Sequence, residues 1–511
     1  MLRKKKPRDK FIEGARRHGP GVATELAGLV PVLGPVVTGG KLVVGAGKAF
    51  WNYIRRLPKV LNNRDELYGA GLSMLKDGQE SIIAVNTVAK EDAPNFIDKE
   101  GCEYEQEYFA QLFRVVQRNR YGIGSTLPLL RYMDLNDVQK CEEAISLLLY
   151  GRGVTIRESD IPIEFLIRDQ KEVLLGFPHD DKLEHGVLIR DNGNICATLT
   201  KWIEAQIESS PNPAGFTDPR ELVSRIKEIR TDERISHSSL IRAVSWLEEL
   251  QIKDLFGFTK EAFDGWVNFY SNLYDEESCK HCYKHLADYI KKHSREKKRK
   301  PTLLDCGCAH GFGANILTED GIEYWGVDVS DALIGKANDR GKGKFVTGDV
   351  VRLLLESKEV RDFPDKFDII ACQGNTFDFF LGDLQKWFVL TLFKSRLKEG
   401  GLLFFTQYTF DRDEAESPRE VPGYFEPTPE KFSYRLVWKG DFLQVNVYRQ
   451  QEYKGYVIQH PTSLEWLKTT CRALGFEYMK DTSEHWGDWF NPRGAERPYD
   501  AYVFKLTKPE A

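Results

Sequence analysis

A large excess of charge of either sign is missing from these 511 residues. Lysine and arginine number 72 against 77 aspartates and glutamates, a formal net charge of -5. So balanced a chain exerts no global pull on nucleic acid, and no basic stripe with interleaved aromatics marks an RNA-binding face. A disulfide framework is also missing. The nine cysteines are scattered, and their odd number fits a reducing cytoplasm. Zinc spacing is incomplete. Cys279 and Cys282 lie near His281 and His285, but no second ligand pair follows and the segment reads as helix, so no metal is expected. A cleavable signal peptide is not evident. The uncharged stretch Leu26 to Gly40 is fifteen residues long, bracketed by Glu25 and Lys41 and interrupted by Pro31 and Pro35. A spanning helix needs about 20 apolar residues.

What is present describes globular domains. A hydrophobic fraction of 41% supports real cores, and the length exceeds one ordinary domain, so two or three are expected. Residues 1–60 form a basic tail, MLRKKKPRDK, followed by a small-apolar helical segment that Pro58 ends. Two readings stay open for residues 1–40: contact with a membrane surface, helped by the basic tail, or a basic tail followed by a buried hairpin.

Residues 61–208 read as an α/β accessory or sensor domain. The pattern predicts helices over Leu67 to Lys76, Glu103 to Tyr121 and Ile195 to Ile207. It predicts strands over Ser81 to Ala89 and Val187 to Ile189, and a hairpin from Ile163 to Ile167 and Val173 to Phe177. Residues 209–262 open with the linker SSPNPAGFTDP and continue as charged helices. Residues 263–511 alternate strands and helices. Antiparallel strands are expected from Phe432 to Gln459. A helix from Leu464 to Leu474, capped by Thr462 or Ser463 and stopped by Gly475, precedes two final strands.

The stretch Leu303 to Asp349 carries the chemistry. An apolar strand runs into Asp305, and a turn follows with Gly307, Ala309 and Gly311. A second strand ends on Asp328, and a third region ends on Asp349. The acids are 23 and 21 residues apart, about one βα unit each. This is how a doubly wound α/β domain builds a site for an adenosine-containing cofactor. Glycines let the backbone approach, and a carboxylate at the second strand end takes the ribose hydroxyls. The spacing D-x-G-x-A-x-G departs from the dinucleotide fingerprint G-x-G-x-x-G. An acid ahead of the first glycine repels a pyrophosphate and suits a sulfonium cofactor with an ammonium group.

On these residues the chain from about Phe263 to the C-terminus resembles class I S-adenosylmethionine-dependent methyltransferases. It is most similar to small-molecule N-methyltransferases of the glycine and glycine/sarcosine type. The segment FDIIACQGNTFDFF (Phe367 to Phe380) resembles that family's fourth strand and its following turn, and KEGGLLFFTQY (Lys398 to Tyr408) its fifth. The resemblance implies a Rossmann-like sheet with an antiparallel strand insertion roofing the acceptor site. It implies S-adenosyl-L-methionine as cofactor, with Asp328 on the ribose, and Asp349 and Val350 at the adenine. Gln373 would line the cleft through its backbone. Asn375 would help hold the acceptor, and Tyr270 would shape its pocket. Where the family places a substrate-binding arginine, this chain has Gln407, which argues against glycine itself as acceptor.

The region 61–208 has a weaker resemblance to degenerate phospholipase D-like domains, on FLIRDQKEVLLGFP and HGVLIRD. The H-x-K pair of that family occurs nowhere in the sequence, so hydrolysis is not implied. The leading expectation is a cytoplasmic N-methyltransferase of a small amine or amino-acid-like acceptor, with no nucleic-acid partner. Self-association and membrane association stay open. Methylation of an oxygen or of a protein side chain is the alternative enzyme reading. A sensor whose middle domain binds a ligand or partner is the non-enzyme one.

Overall fold

The computed structural model describes residues 58–86, 103–159, 164–179, 182–190, 193–207, 214–229, 239–267, 283–284, 286–292, 300–356, 360–407, 420–421, 432–439, 441–449, 451–479 and 500–507. The basic tail, Tyr270, and the Cys279 and Cys282 pair lie outside these residues.

The N-terminal region is a seven-stranded mixed sheet. Its strands are β1 (Lys59–Leu61), β2 (Ile82–Asn86), β3 (Leu129–Met133), β4 (Val154–Glu158), β5 (Glu164–Arg168), β6 (Glu172–His179) and β7 (Lys182–Ile189), in the spatial order β1-β7-β6-β5-β2-β3-β4. Strands β2, β3 and β4 run parallel, and the remaining pairs are antiparallel. The helices are α1 (Arg64–Asp77), α2 (Glu103–Tyr121), α3 (Val138–Tyr150) and α4 (Gly193–Ile207). The hairpin, α2 and the closing helix fall where their periodicity predicts. Strands β3 and β4 and helix α3 are additions, and they supply the parallel half of the sheet. Arg131 on β3 reaches Glu143 on α3 at 2.8 Å with both side chains buried, so neither charge is left alone in the core.

Three helices lead out of this sheet: α5 (Pro219–Ile229), α6 (Ser239–Glu249) and α7 (Leu255–Gly265). Asp254 starts α7 by accepting from the backbone N–H groups of Phe256 and Gly257.

The second sheet also has seven strands. They are β8 (Thr302–Cys306), β9 (Glu323–Asp328), β10 (Lys344–Thr347), β11 (Phe367–Cys372), β12 (Leu397–Gln407), β17 (Phe476–Tyr478) and β18 (Asp500–Leu506), ordered β10-β9-β8-β11-β12-β18-β17. Strands β8 to β12 are mutually parallel, and β18 is antiparallel to both its neighbours. Helices α8 (Phe312–Glu319), α9 (Asp331–Arg340), α10 (Val350–Leu355), α11 (Asp383–Arg396) and α12 (Leu464–Ala473) complete the crossovers. Chain order reverses between β8 and β11, which opens a crevice at their carboxyl ends. The expected insertion is an antiparallel sheet of β13 (Glu420–Val421), β14 (Phe432–Lys439), β15 (Phe442–Arg449) and β16 (Glu452–Gln459). Ser463 is the cap of α12, accepting from the Trp466 amide.

The two sheets share a core. Helix α2 lies on α10 and α11, and α3 lies on α11. Phe113 meets Phe388 with ring centroids 5.6 Å apart, and Phe109 meets Trp387 at 6.5 Å. One continuous cluster of buried side chains runs from Leu61 through these rings to Phe504. Burial of aromatic rings on this scale stabilises by roughly 2–3 kcal/mol each, so the halves hold one another. Among the described residues no helix is long and apolar enough to cross a membrane, and no group of three His, Cys, Asp or Glu could hold a metal ion.

Candidate active site

The turn after β8 is shaped by backbone sterics. Gly307 has φ 70°, and a Cβ there would lie 2.4 Å from the Thr376 hydroxyl, so no larger residue fits. Gly311, with φ 67°, starts α8, and a Cβ there would strike the Phe345 ring at 2.6 Å. Between them Ala309 adopts φ 48°, a left-handed conformation that non-glycine residues rarely take. Its amide then points at Asp328 and donates to Oδ2 at 3.0 Å. The Ser330 amide donates to Oδ1 at 3.0 Å. Among the described residues, Asp328 is thus held at the end of β9 by backbone N–H groups. Burial pushes its carboxyl up to about 6, with those amides opposing the shift.

Asp305 sits behind the turn rather than in it. It is fully buried, and its Oδ2 accepts from the Tyr324 hydroxyl at 2.6 Å and the Tyr283 hydroxyl at 3.0 Å. Among the described residues its Oδ1 has no hydrogen-bond partner. Burial pushes this carboxyl up to about 6 as well, against the pull of the two tyrosines. The expected ammonium-facing acid is therefore a buried support of the turn.

Asp349 caps α10, its Oδ1 accepting from the Val351 amide at 2.7 Å. Its Oδ2 accepts from the Tyr121 hydroxyl, supplied by the last residue of α2. Burial raises this carboxyl, and the Tyr121 and Val351 bonds and the Arg120 charge oppose the rise.

One cleft joins these groups. It holds about 1070 Å³ free of protein atoms, its open mouth included. Of the residues the sequence marks, Gly307, Ala309, Asp328, Asp349 and Val350 line it. Asp305, Gly311, Gln373 and Asn375 are not among its lining residues. Gln373 is buried, and its carbonyl accepts from the Thr376 amide and hydroxyl, at 3.1 and 2.6 Å, so it shapes the next turn. Sequence reasoning missed Thr376, Phe379, Phe263, Tyr121 and Gln117, all of which line the cleft. The rings of Phe263 on α7 and Phe379 meet edge to face at 5.3 Å.

Asn375 turns away into a buried polar knot. With φ 63°, its amide donates to the Thr406 carbonyl at 3.0 Å, and its Nδ2 donates to Asp378 Oδ2 at 3.2 Å. Asp378 Oδ1 also accepts from Gln407 Nε2 at 3.1 Å and from the Thr462 hydroxyl and amide at 2.9 and 3.1 Å. The Lys386 ammonium lies 3.7 Å from the same oxygen and donates to the His460 carbonyl and the Thr462 hydroxyl. Lys386 is 0% and Asp378 1% exposed, so the pair is a buried one. Burial raises the carboxyl and lowers the ammonium, while each partner opposes the other's shift. Gln407 is thereby spent on structure, and the side chain at the expected arginine position does not reach into the cleft as a charge.

Comparison with known proteins agrees with this architecture. Residues 280–478 match the family described as "Methyltransferase domain". The chain is 23% identical over 274 residues to a glycine/sarcosine/dimethylglycine N-methyltransferase of Actinopolyspora halophila, covering 51% of this chain and 44% of that protein. It is 27% identical over 164 residues to a glycine/sarcosine N-methyltransferase of Halorhodospira halochloris, covering 32% of this chain and 58% of the relative. The aligned part thus spans about half the length of these relatives. Similar solved structures include a S-adenosylmethionine-dependent methyltransferase from Clostridium acetobutylicum, at 15% identity and TM-score 0.35, covering 44% of this chain and 92% of that one. Another is the amino pentose methyltransferase CalS10 from Micromonospora echinaspora, at 16% identity and TM-score 0.32, covering 44% and 90%. The C-terminal half therefore has a Rossmann-like sheet over residues that match a methyltransferase domain.

Proposed function

We propose that this protein is an N-methyltransferase that takes S-adenosylmethionine and a small amine or amino-acid-like acceptor. The observation that carries the reading is Asp328. It lines the cleft, and among the described residues its oxygens accept backbone N–H groups, which leaves lone pairs for two ribose hydroxyls. Three further features support the fit. The cleft has room for a nucleoside, Val350 and Leu333 offer apolar faces to a purine, and Asp349 can accept from its amine. The names of the aligned N-methyltransferases point the same way.

When bound, the cofactor supplies an electrophilic methyl group on a sulfonium. The chain's part is to bind, orient and keep water out. Gly307 and Ala309 bring backbone close to the ligand. Phe263 and Phe379 line the cleft with aromatic surface, which excludes water and favours a nearby cation through the ring quadrupole. The acceptor must arrive with its amine lone pair free, and its surplus proton leaves for solvent after the carbon–nitrogen bond forms. Asn375, Gln407 and Lys386 fix the turn that carries Thr376 and Phe379 to the acceptor end. We assign Asn375 to positioning there. Because Gln407 is engaged with Asp378, the acceptor is an amine larger or less acidic than glycine.

The test is a methyl-transfer screen with the full chain, isotopically labelled S-adenosylmethionine and a panel of small primary and secondary amines, amino acids, alcohols and unfolded proteins. Label on an amine other than glycine is the expected result. Glycine as the best acceptor would overturn the substrate class. Label only on hydroxyl or protein acceptors would overturn N-methylation.

A further inference from the structure

The ends of helices α2 and α3 meet the cleft at three places, through Tyr121 and Arg120 on α2 and Tyr150 on α3. Tyr121 donates its hydroxyl to Asp349, at the end of β10. Arg120 donates to Asp254 at 2.5 Å, the residue that starts the covering helix α7, and to the Leu149 carbonyl at 2.7 Å at the end of α3. Tyr150, the last residue of α3, donates to the Leu381 carbonyl at 3.2 Å, just before α11. Gln117, Arg120, Tyr121 and Tyr150 all line the same cleft as Asp328 and Asp349. They come from a region that lies outside the methyltransferase match at 280–478.

Building on the cofactor assignment above, we propose that the N-terminal region completes the adenine end of the site. In this proposal Tyr121 orients Asp349, and with Gln117 it forms the wall against the purine's amino edge. Asp349 has the position for accepting from that amine, and each carboxylate oxygen can accept two hydrogen bonds. One place on Oδ1 goes to the Val351 amide and one on Oδ2 to Tyr121, so the carboxylate plane is fixed and the remaining lone pairs are aimed. Without the phenol a buried carboxylate would keep a single donor, at a cost in order and in charge stabilisation. Arg120 adds a nearby positive charge that favours the ionised, accepting form. Cofactor binding and seating of the N-terminal region are therefore one coupled event. Anything that shifts α2 shifts cofactor affinity, by the reciprocity of linked equilibria.

The test is calorimetric titration of full-length protein with S-adenosylhomocysteine and with its derivative methylated on the purine amine. Wild type should prefer the unmethylated ligand by about tenfold or more, because the methylated amine has one fewer proton to donate and more bulk. Tyr121→Phe should bind S-adenosylhomocysteine about tenfold more weakly. It should also narrow the preference between the two ligands. A purely structural role would weaken both ligands equally, and an unchanged ratio would overturn the proposal. Hydrogen exchange on wild type needs no variant to fold. S-adenosylhomocysteine should slow exchange in residues 114–121 as well as in 307–333. Slowing in 307–333 alone would overturn the proposal while leaving the cofactor assignment intact. No binding by wild type would overturn both.

Discussion

The two sides of the cleft are built from different materials. On the β8 and β9 side, Asp328 is held by main-chain amides of Ala309 and Ser330, and the turn is set by the conformations of Gly307, Ala309 and Gly311. On the β11 and β12 side, the turn at Asn375 is held by side chains that converge on Asp378: Asn375, Gln407, Thr462 and Lys386. A site made of backbone tolerates side-chain changes at its supports and fails only where a φ angle or a close approach is lost. A site made of buried side chains depends on each of them, since removing one leaves the others unpaired in a low dielectric.

The largest expected effect is on the side-chain half. Lys386→Met keeps the volume and removes the charge beside buried Asp378. Breaking a buried pair from one end costs roughly 3–5 kcal/mol, and urea unfolding of the full chain should register a loss of that order. A loss below about 1 kcal/mol would mean that the pair is not the support described here.

Next is Asp328→Asn. The amide keeps the shape but gives up the charge-assisted acceptor, worth about 1.5–3 kcal/mol, so S-adenosylmethionine affinity should fall about tenfold to a hundredfold. The free protein should also lose about 1–3 kcal/mol of stability, because both carboxylate oxygens accept backbone N–H groups and the asparagine NH2 cannot replace one of those acceptors. Asn375→Ala should do the reverse in kind. Turnover should fall about tenfold as the turn carrying Thr376 and Phe379 loosens, while cofactor affinity stays within about twofold. Equal losses in both would place Asn375 on the cofactor instead.

The smallest effect sharpens the contrast most. Ser330 starts α9, with its hydroxyl accepting from the Leu333 amide at 3.2 Å. Ser330→Ala should cost about 1–2 kcal/mol of stability, through the lost cap and the lost bond that its hydroxyl donates to Asp264 on α7 at 2.6 Å. It should leave cofactor binding nearly unchanged, because Asp328 is held by the Ser330 amide and not by its side chain. A large loss of binding would break the claim that this side is built from backbone.

The same contrast explains what was legible in the sequence. The turn from Asp305 to Gly311 and the acids at Asp328 and Asp349 sit at consecutive strand ends, so local spacing alone marks them. The helix Glu103–Tyr121 and the alternation of strands and helices after Leu303 follow from local periodicity. Tyr121 was invisible as a site residue because its partner is 228 residues away and nothing local ties a helix-end tyrosine to Asp349. The bond from Asn375 to Asp378 was not legible, since spacing places a side chain at a strand end without saying which neighbour it meets. Asp305 was read as a ligand-facing acid, whereas Tyr283 and Tyr324, from other elements, take it into the core. The strands Leu129–Met133 (LLRYM) and Val154–Glu158 (VTIRE) are isolated in sequence and have no hairpin turn like the RDQK between Glu164–Arg168 and Glu172–His179 to mark them.

The most direct test of the cofactor site is the pH dependence of S-adenosylhomocysteine binding, measured by calorimetry on the full chain at pH 5 and pH 7.5. The Asp328 carboxyl titrates at about 6 in the free protein. Below that pH it holds a proton and accepts poorly from two hydroxyls. Above it the anion accepts from both, so affinity should rise with pH, by up to about tenfold per unit below the midpoint and flattening above it. Asp328→Asn should bind weakly and show a flatter profile. Equal affinity of wild type and Asp328→Asn at pH 7.5 would contradict the account.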